Sequence, residues 1–135
     1  MNIEFEKERE YIGRLSDDDE LFEREFGNLK DSYPMDNPNK IYNFLKDNPG
    51  IIIVLNEVRP LLSQYVPYAK FNLKLDDDPI FVPQLLLVVN APRNKFGNGF
   101  KGNIKKINSS IRPFLLEFNL GAEFFIFDGL LRDNY

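Results

Sequence analysis

Apolar residues recur at a helical period along the first half of this chain and switch to alternation near Ala69. Residues 3 to 15 mix acids and bases around Phe5, Tyr11, Ile12 and Leu15, a sparse apolar set that predicts helix only weakly. Ser16 followed by Asp17, Asp18 and Asp19 matches a capping box, and acids in a first turn complement the helix dipole, so a helix is expected over about 17 to 30. Its apolar positions Leu21, Phe22, Phe26 and Leu29 share one face, and the other face is charged. Residues 31 to 39 have linker chemistry, and Asn37-Pro38 starts a short helix carrying Ile41, Tyr42, Phe44 and Leu45. Asn48 as cap and Pro49 at the first helical position then open a helix over 49 to 65. Ile51-Ile52-Ile53-Val54 alone would suit a strand, but Ile51, Leu55, Val58, Leu62 and Tyr65 recur at helical spacing and decide for helix, bent at Pro60.

From Ala69 the period is two: Phe71, Leu73 and Leu75 alternate with Asn72, Lys74 and Asp76, as in a strand with one buried face. Asp77-Asp78-Pro79 ends it. Gln84 to Asn90, apolar at consecutive positions, predicts a more central strand joined to the first as a hairpin with a long connection. After Ala91-Pro92 and a glycine-rich loop, Phe100, Ile104, Ile107, Ile111, Phe114, Leu115 and Phe118 trace one long helix that Pro113 kinks without ending. Leu120-Gly121 stops it, Ala122 to Asp128 forms a third strand, and Gly129 to Tyr135 is a short tail. The class is therefore α+β, with N-terminal helices packed on a small three-stranded sheet in the order α-α-α-β-β-α-β. A length of 135 residues fits one domain. Within it, residues 1–36 read as an acidic helical segment that could be an appendage, and 37–135 as the compact α+β body.

Composition removes whole chemistries. The chain has no Cys, His, Trp or Thr, which leaves no thiolate nucleophile, no Ser-His-Asp triad, no imidazole proton shuttle and no zinc site of the usual ligands. Asp76-Asp77-Asp78 could suggest a carboxylate metal site, but successive strand residues point to opposite faces, so a turn ending in Asp-Pro is the simpler account. No metal, cofactor or catalytic residue is expected, and the balance tilts against an enzyme. The opening residues have neither a basic nor an apolar leader region, and the apolar runs Ile51 to Leu55 and Leu85 to Val89 fall far short of the ~20 residues that span a bilayer. A soluble cytoplasmic protein without membrane contact is the expectation.

Charge is sorted along the chain. Residues 1–37 hold twelve acids against five bases, whereas 79–116 hold six bases and no acid, within a net charge of −4. Two candidate binding surfaces follow. One is the acidic helix with Asp17, Asp18, Asp19, Glu20 and Glu23. The other is the basic loop and helix with Arg93, Lys95, Phe96, Gly97, Gly99, Lys101, Gly102, Lys105 and Lys106, where glycines free the backbone amides and lysines crowd a helix start. Gly97-Asn98-Gly99-Phe100-Lys101-Gly102 also spells the dinucleotide G-x-G-x-x-G, with Asp128 on the next strand. In a dinucleotide unit, however, the first glycine follows its strand at once, and the repeated parallel strands of such domains are not evident here. A flexible surface loop with ordinary lysines on a solvated helix face is the simpler account of the same residues.

Asn48-Pro49 opening a helix with Leu55 and Glu57, the break Val66-Pro67-Tyr68-Ala69, the strand with Leu73 and Leu75, Asp78-Pro79 and the run Leu85 to Val89 resemble a set of small bacterial proteins of unknown function, over about residues 40 to 118. Ile80 stands here where those proteins carry Glu, and their later helix ends in tryptophans that this chain lacks. The resemblance implies the order helix, strand, strand, helix and no activity. The expected function is non-enzymatic binding of another macromolecule through segregated charged surfaces, the partner being a protein before a nucleic acid, with homodimer formation through an exposed strand edge as a further route. The alternative is a phosphate- or nucleotide-handling activity at the basic loop of residues 93–106.

Overall fold

A computed structural model describes residues 5–78 and 82–131. Pro79 of the expected turn, Ile80, residues 3 and 4 of the first segment and the end of the expected tail lie outside them. The elements are α1 (Glu6–Asp17), α2 (Asp19–Ser32), α3 (Pro38–Asp47), α4 (Gly50–Tyr65), β1 (Lys70–Asp76), β2 (Gln84–Ala91), α5 (Asn98–Glu117) and β3 (Phe124–Leu130). The α+β class and the strand-strand-helix-strand order are as expected, but four helices precede the sheet where three were anticipated.

The extra helix arises at the N-terminus. The weakly patterned first segment is a full helix because both its ends are anchored in the core. Phe5 stacks edge-on to Phe114 and Phe118 at 5.2 and 5.8 Å between ring centroids, and Leu15 is wholly buried. The expected cap at Ser16 is accordingly corrected. Ser16 lies inside the last turn of α1 and its hydroxyl donates to the Ile12 carbonyl, whereas Asp18 leaves the helical region (φ −119°, ψ 100°) and its carboxylate accepts from the Leu21 N–H at 3.1 Å. Either side chain can cap a helix. Burial of Leu15 keeps α1 going for two more residues and hands the cap to Asp18.

The apolar run that opens α4 is buried on every side. Ile51 to Leu55 are each 7% exposed or less, which places α4 at the centre of the core among α2, α3 and α5. The helix continues through Pro60 to Tyr65. Leu21, Phe22, Phe26, Leu29 and Tyr33 from the acidic segment belong to the same buried cluster as Leu85, Leu87 and Val89 of the sheet. Tyr33 adds a polar tie, its buried hydroxyl donating to the Leu55 carbonyl at 2.7 Å.

The sheet order is β1-β2-β3. β1 and β2 are antiparallel from Lys70↔Asn90 to Asp76↔Gln84, the expected hairpin, with β2 central. β3 runs parallel to β2 from Leu85↔Phe124 to Ala91↔Leu130, so β2, α5 and β3 form one crossover unit. Alternation assigns the faces: Leu73, Leu85, Leu87, Val89, Ala91 and Phe124 are buried under the helices, while Lys74, Phe125 and Phe127 lie on the opposite, exposed face.

Candidate functional site

The crossover from β2 to β3 decides where the basic residues go. Just after β2 the Pro92 carbonyl accepts from the N–H groups of Lys95 and Phe96, both at 2.9 Å, and this tight turn throws Arg93 and Lys95 into solvent. Phe96 folds back onto Phe100, the first core residue of α5, at 5.8 Å. Gly97 is extended (φ 161°), and no side chain caps α5, so its first-turn amides have no side-chain acceptor. A Cβ built on Gly97, Gly99 or Gly102 meets nothing within 4 Å, so packing does not require these glycines, and the backbone there is open to approach.

The core stripe of α5, Phe100, Ile104, Ile107 and Ile111, fixes the direction of its cations by helical period. Lys101 and Lys105 project to the flank that Arg112 shares, and Lys106 projects toward the end of α4. Three lysines lie over aromatic rings: Lys95 over Tyr68 at 5.7 Å, Lys101 over Phe96 at 5.1 Å and Lys106 over Tyr65 at 5.7 Å. Asn103 secures the same seam by donating to the Tyr65 carbonyl at 3.0 Å. Among the described residues, no carboxylate comes within 4.0 Å of Arg93, Lys95, Lys101, Lys105, Lys106 or Arg112. Periodicity located the lysines, but not Tyr65 and Tyr68 beneath them. Those two tyrosines come from the end of α4 and the turn after it, and only packing brings them there.

The acidic candidates are used differently. Asp18 caps α2, Asp19 binds Lys46 of α3 at 2.6 Å, and Glu23 accepts the Tyr42 hydroxyl of α3 at 2.5 Å, while Asp17 ends α1 and Glu20 stands exposed in the first turn of α2. The Lys46 hydrogen bond, then its charge, holds the Asp19 carboxyl below the usual range, and the bond to Glu23 raises the Tyr42 hydroxyl. Asp77 of the acidic triplet is lowered by its bond to Lys40 at 2.8 Å. These bonds tie the acidic helix to α3 and not to the basic loop. Arg9 of α1 and Glu117 at the end of α5 form an ion pair that joins the N-terminal segment to the crossover helix.

No group of three or more potential metal ligands gathers among the described residues. A cleft of about 370 Å³ between α1 and α4 is lined by Lys7, Glu8, Tyr11, Ile53, Asn56 and Glu57, and none of the residues 93–106 reaches it. Burial, followed by a hydrogen bond to Glu25, raises the Tyr11 hydroxyl there. The glycine loop does lie between the C-terminal end of a strand and the start of a helix, and β3 is parallel to β2, but this is the sole parallel pair in the described sheet. No helix among the described residues is long and apolar enough to cross a membrane. No family model, no curated protein and no solved structure matches the chain.

Proposed function

We propose that this protein is a cytoplasmic, non-enzymatic binding module whose basic crossover face engages an acidic surface of another protein. The observation that carries the proposal is the unpaired state of the cations at residues 93–106 toward every described carboxylate, in a chain whose acids outnumber its bases by 21 to 17. Evenly scattered charges would pair at random. Here Asp19, Glu23 and Asp77 are bonded to α3 and the bases of the crossover are left facing solvent, a separation that steers encounter and fixes orientation. The rings of Tyr65, Tyr68 and Phe96 support the lysine stems while their ammonium groups stay in water. Phe96 and Tyr68 are themselves half-buried against Phe100 and offer poor stacking platforms, which disfavours single-stranded nucleic acid. The net charge of −4 opposes a long polyphosphate as well.

The test is capture from the native cell with the wild-type chain and with the double variant Lys101→Glu/Lys105→Glu. Both positions are exposed, so the variant should melt with the wild type. Loss of an acidic protein partner is the expected result, and undiminished capture by the variant would remove the basic face from the account.

The uncapped start of α5 favours a second reading, in which a phosphate group docks on the free amides with help from Lys101 and Lys105. Thermal melts with nucleotides and Mg²⁺ separate the two. A ligand at 100 times its dissociation constant adds ~2.7 kcal/mol of stability. A nucleotide-dependent shift that Lys101→Glu/Lys105→Glu abolishes would replace the protein-partner reading with this one.

A further inference from the structure

The two edges of the sheet are finished differently. Along β1, residues 34 to 36 cover the edge: the Leu73 N–H donates to the Pro34 carbonyl at 2.8 Å, the Asp36 N–H donates to the Leu73 carbonyl at 2.9 Å, and the Asn72 amide donates to the Asp36 carboxylate. Lys70, Lys74 and Asp76 add charge to that strand. Both devices protect an edge against pairing with another strand. Along β3 no described strand pairs with the outer edge, and the sequence Phe-Phe-Ile-Phe-Asp-Gly-Leu holds a single charge, Asp128, and no Lys, Arg or Pro; the strand pairs with β2 through seven consecutive positions without a bulge.

Two ladder bonds set the phase of the free edge. The Leu85 N–H donates to the Glu123 carbonyl at 2.8 Å and the Leu131 N–H donates to the Ala91 carbonyl at 2.7 Å, so the odd-numbered residues of β3 bond to β2. The N–H and C=O groups of Phe124, Ile126, Asp128 and Leu130 therefore point outward, where no described strand meets them. Beside this edge, on the face away from the helices, Phe125 and Phe127 are 44% and 59% exposed and continue the half-exposed Leu86 and Val88.

We propose that β3 pairs antiparallel with β3 of a second copy of the chain, about a twofold axis at Ile126, merging two three-stranded sheets into one of six. The geometry of the strand is self-complementary at this register, as an isologous contact requires. Ile126 meets its own counterpart in a hydrogen-bonded pair. Phe125 falls opposite Phe127 of the second copy in the closer, non-hydrogen-bonded pairs, making one aromatic row across the axis.

Charge also selects this occupant. Asp128, the only charged residue of the strand, comes opposite Phe124 of the second copy and avoids its own counterpart. It arrives on the helix-covered side at the head of β3. There a groove of about 340 Å³ along the outer flank of α5 is lined by Arg112, Leu115, Leu116 and Gly121 among others. Arg112 has no described carboxylate partner, and Leu116 is 71% exposed, so an incoming acid and an apolar strand end match what the groove presents. The axis stands perpendicular to the sheet, which leaves both basic crossover faces on the same side of the dimer. The inference does not depend on what those faces bind.

Sedimentation equilibrium of the full chain up to about 100 µM reports any dimer tighter than ~10⁻⁵ M. The expected mass is twice 15.8 kDa. In Phe125→Lys/Phe127→Lys, lysines meet directly across the axis, and the chain should sediment as a monomer with unchanged circular dichroism. Phe125→Lys/Phe127→Glu sets opposite charges across the axis and should restore the dimer at low salt and weaken it at 1 M salt. A wild-type monomer, a dimeric lysine pair or a monomeric Lys/Glu pair would each overturn the proposal, as would a monomer that instead takes up an unrelated strand peptide along β3. If the lysine pair fails to fold, the absence of native cysteine allows Phe125→Cys/Phe127→Cys to decide. Oxidation should then give a dimer that resists SDS and dissociates with thiol, and a chain that stays monomeric sinks the idea.

Discussion

Tyr33 shows how much a single position contributes to this fold. Its hydroxyl is buried with the Leu55 carbonyl as its partner, and Tyr33→Phe removes that bond while keeping the ring against Phe71. The expected cost is about 0.5–1.5 kcal/mol, read as a lower urea midpoint with unchanged slope. Burial raises the Tyr33 pKa above its ordinary value. A group whose folded pKa is raised contributes stability that is complete below the unfolded value of ~10 and is lost as pH climbs through the folded one. Stability should therefore decline above about pH 10, and less steeply in Tyr33→Phe, as pH-dependent melts would show. The two candidate caps give a second comparison. Asp18→Ala should cost ~1 kcal/mol, and Ser16→Ala within about 0.5 kcal/mol of nothing, because only Asp18 holds an otherwise free helix amide. The pattern of Ser16 and the acids after it located the break between two helices, but three adjacent residues could serve as cap. The choice depended on Leu15, whose burial no local rule encodes.

Among the elements, α2 and α4 carry most of the shared core. Phe22 is fully buried and contacts Phe26 and Tyr42, so Phe22→Ala should cost ~3–5 kcal/mol, a fifth or more of the ~5–15 kcal/mol that holds a typical domain. Removing residues 1–36 would strip Leu15, Leu21, Phe22, Phe26, Leu29 and Tyr33 from α4. The expected product is an aggregating or molten chain that lacks a cooperative melt in calorimetry. The ion pairs act on a smaller scale. Asp19 with Lys46 and Asp77 with Lys40 tie α3 to α2 and to the end of β1, and both carboxyls titrate below their ordinary range. A lowered folded pKa means stability that is present above the unfolded value of ~4 and lost as pH falls through the folded one. Asp19→Asn/Asp77→Asn should flatten the acid limb of the stability profile below about pH 4, and 1 M salt should do much the same to the wild type. Helix and strand existence was legible from period alone: α4 declared itself through Ile51, Leu55, Val58 and Leu62, and β1 through Phe71, Leu73 and Leu75. α1 was faint because its apolar residues, Tyr11, Ile12 and Leu15 with Phe5 just before it, are too few to form a continuous stripe.

At the scale of the molecule, the charge sorting becomes a sorting of contacts. Asp19 and Glu23 of α2 are engaged by α3, whereas three lysines of the crossover rest on rings and face water, so the acidic pole is partly occupied and the basic pole is open. Raising ionic strength should weaken partner capture by the open pole far more than it weakens β3 pairing, which is apolar at its centre. Parallel pull-down and sedimentation experiments at 0.05 and 0.5 M salt would compare the two directly.

The order of residues by itself determined the helical and alternating stretches, the punctuation at Asn37-Pro38, Asn48-Pro49 and Leu120-Gly121, the central place of β2, the absence of thiol and imidazole chemistry, and the gathering of bases in one stretch. All of these are local properties, readable within a turn of helix or a few strand residues. Only the tertiary structure decided that β3 runs parallel to β2, that Tyr65 and Tyr68 lie beneath the lysines, that Asp19 and Glu23 meet α3 and not the basic loop, and that one sheet edge is covered by residues 34–36 while no described strand meets the other. Each of these joins residues far apart along the chain, and their meeting depends on how the whole apolar surface is buried at once, which no short window of sequence contains.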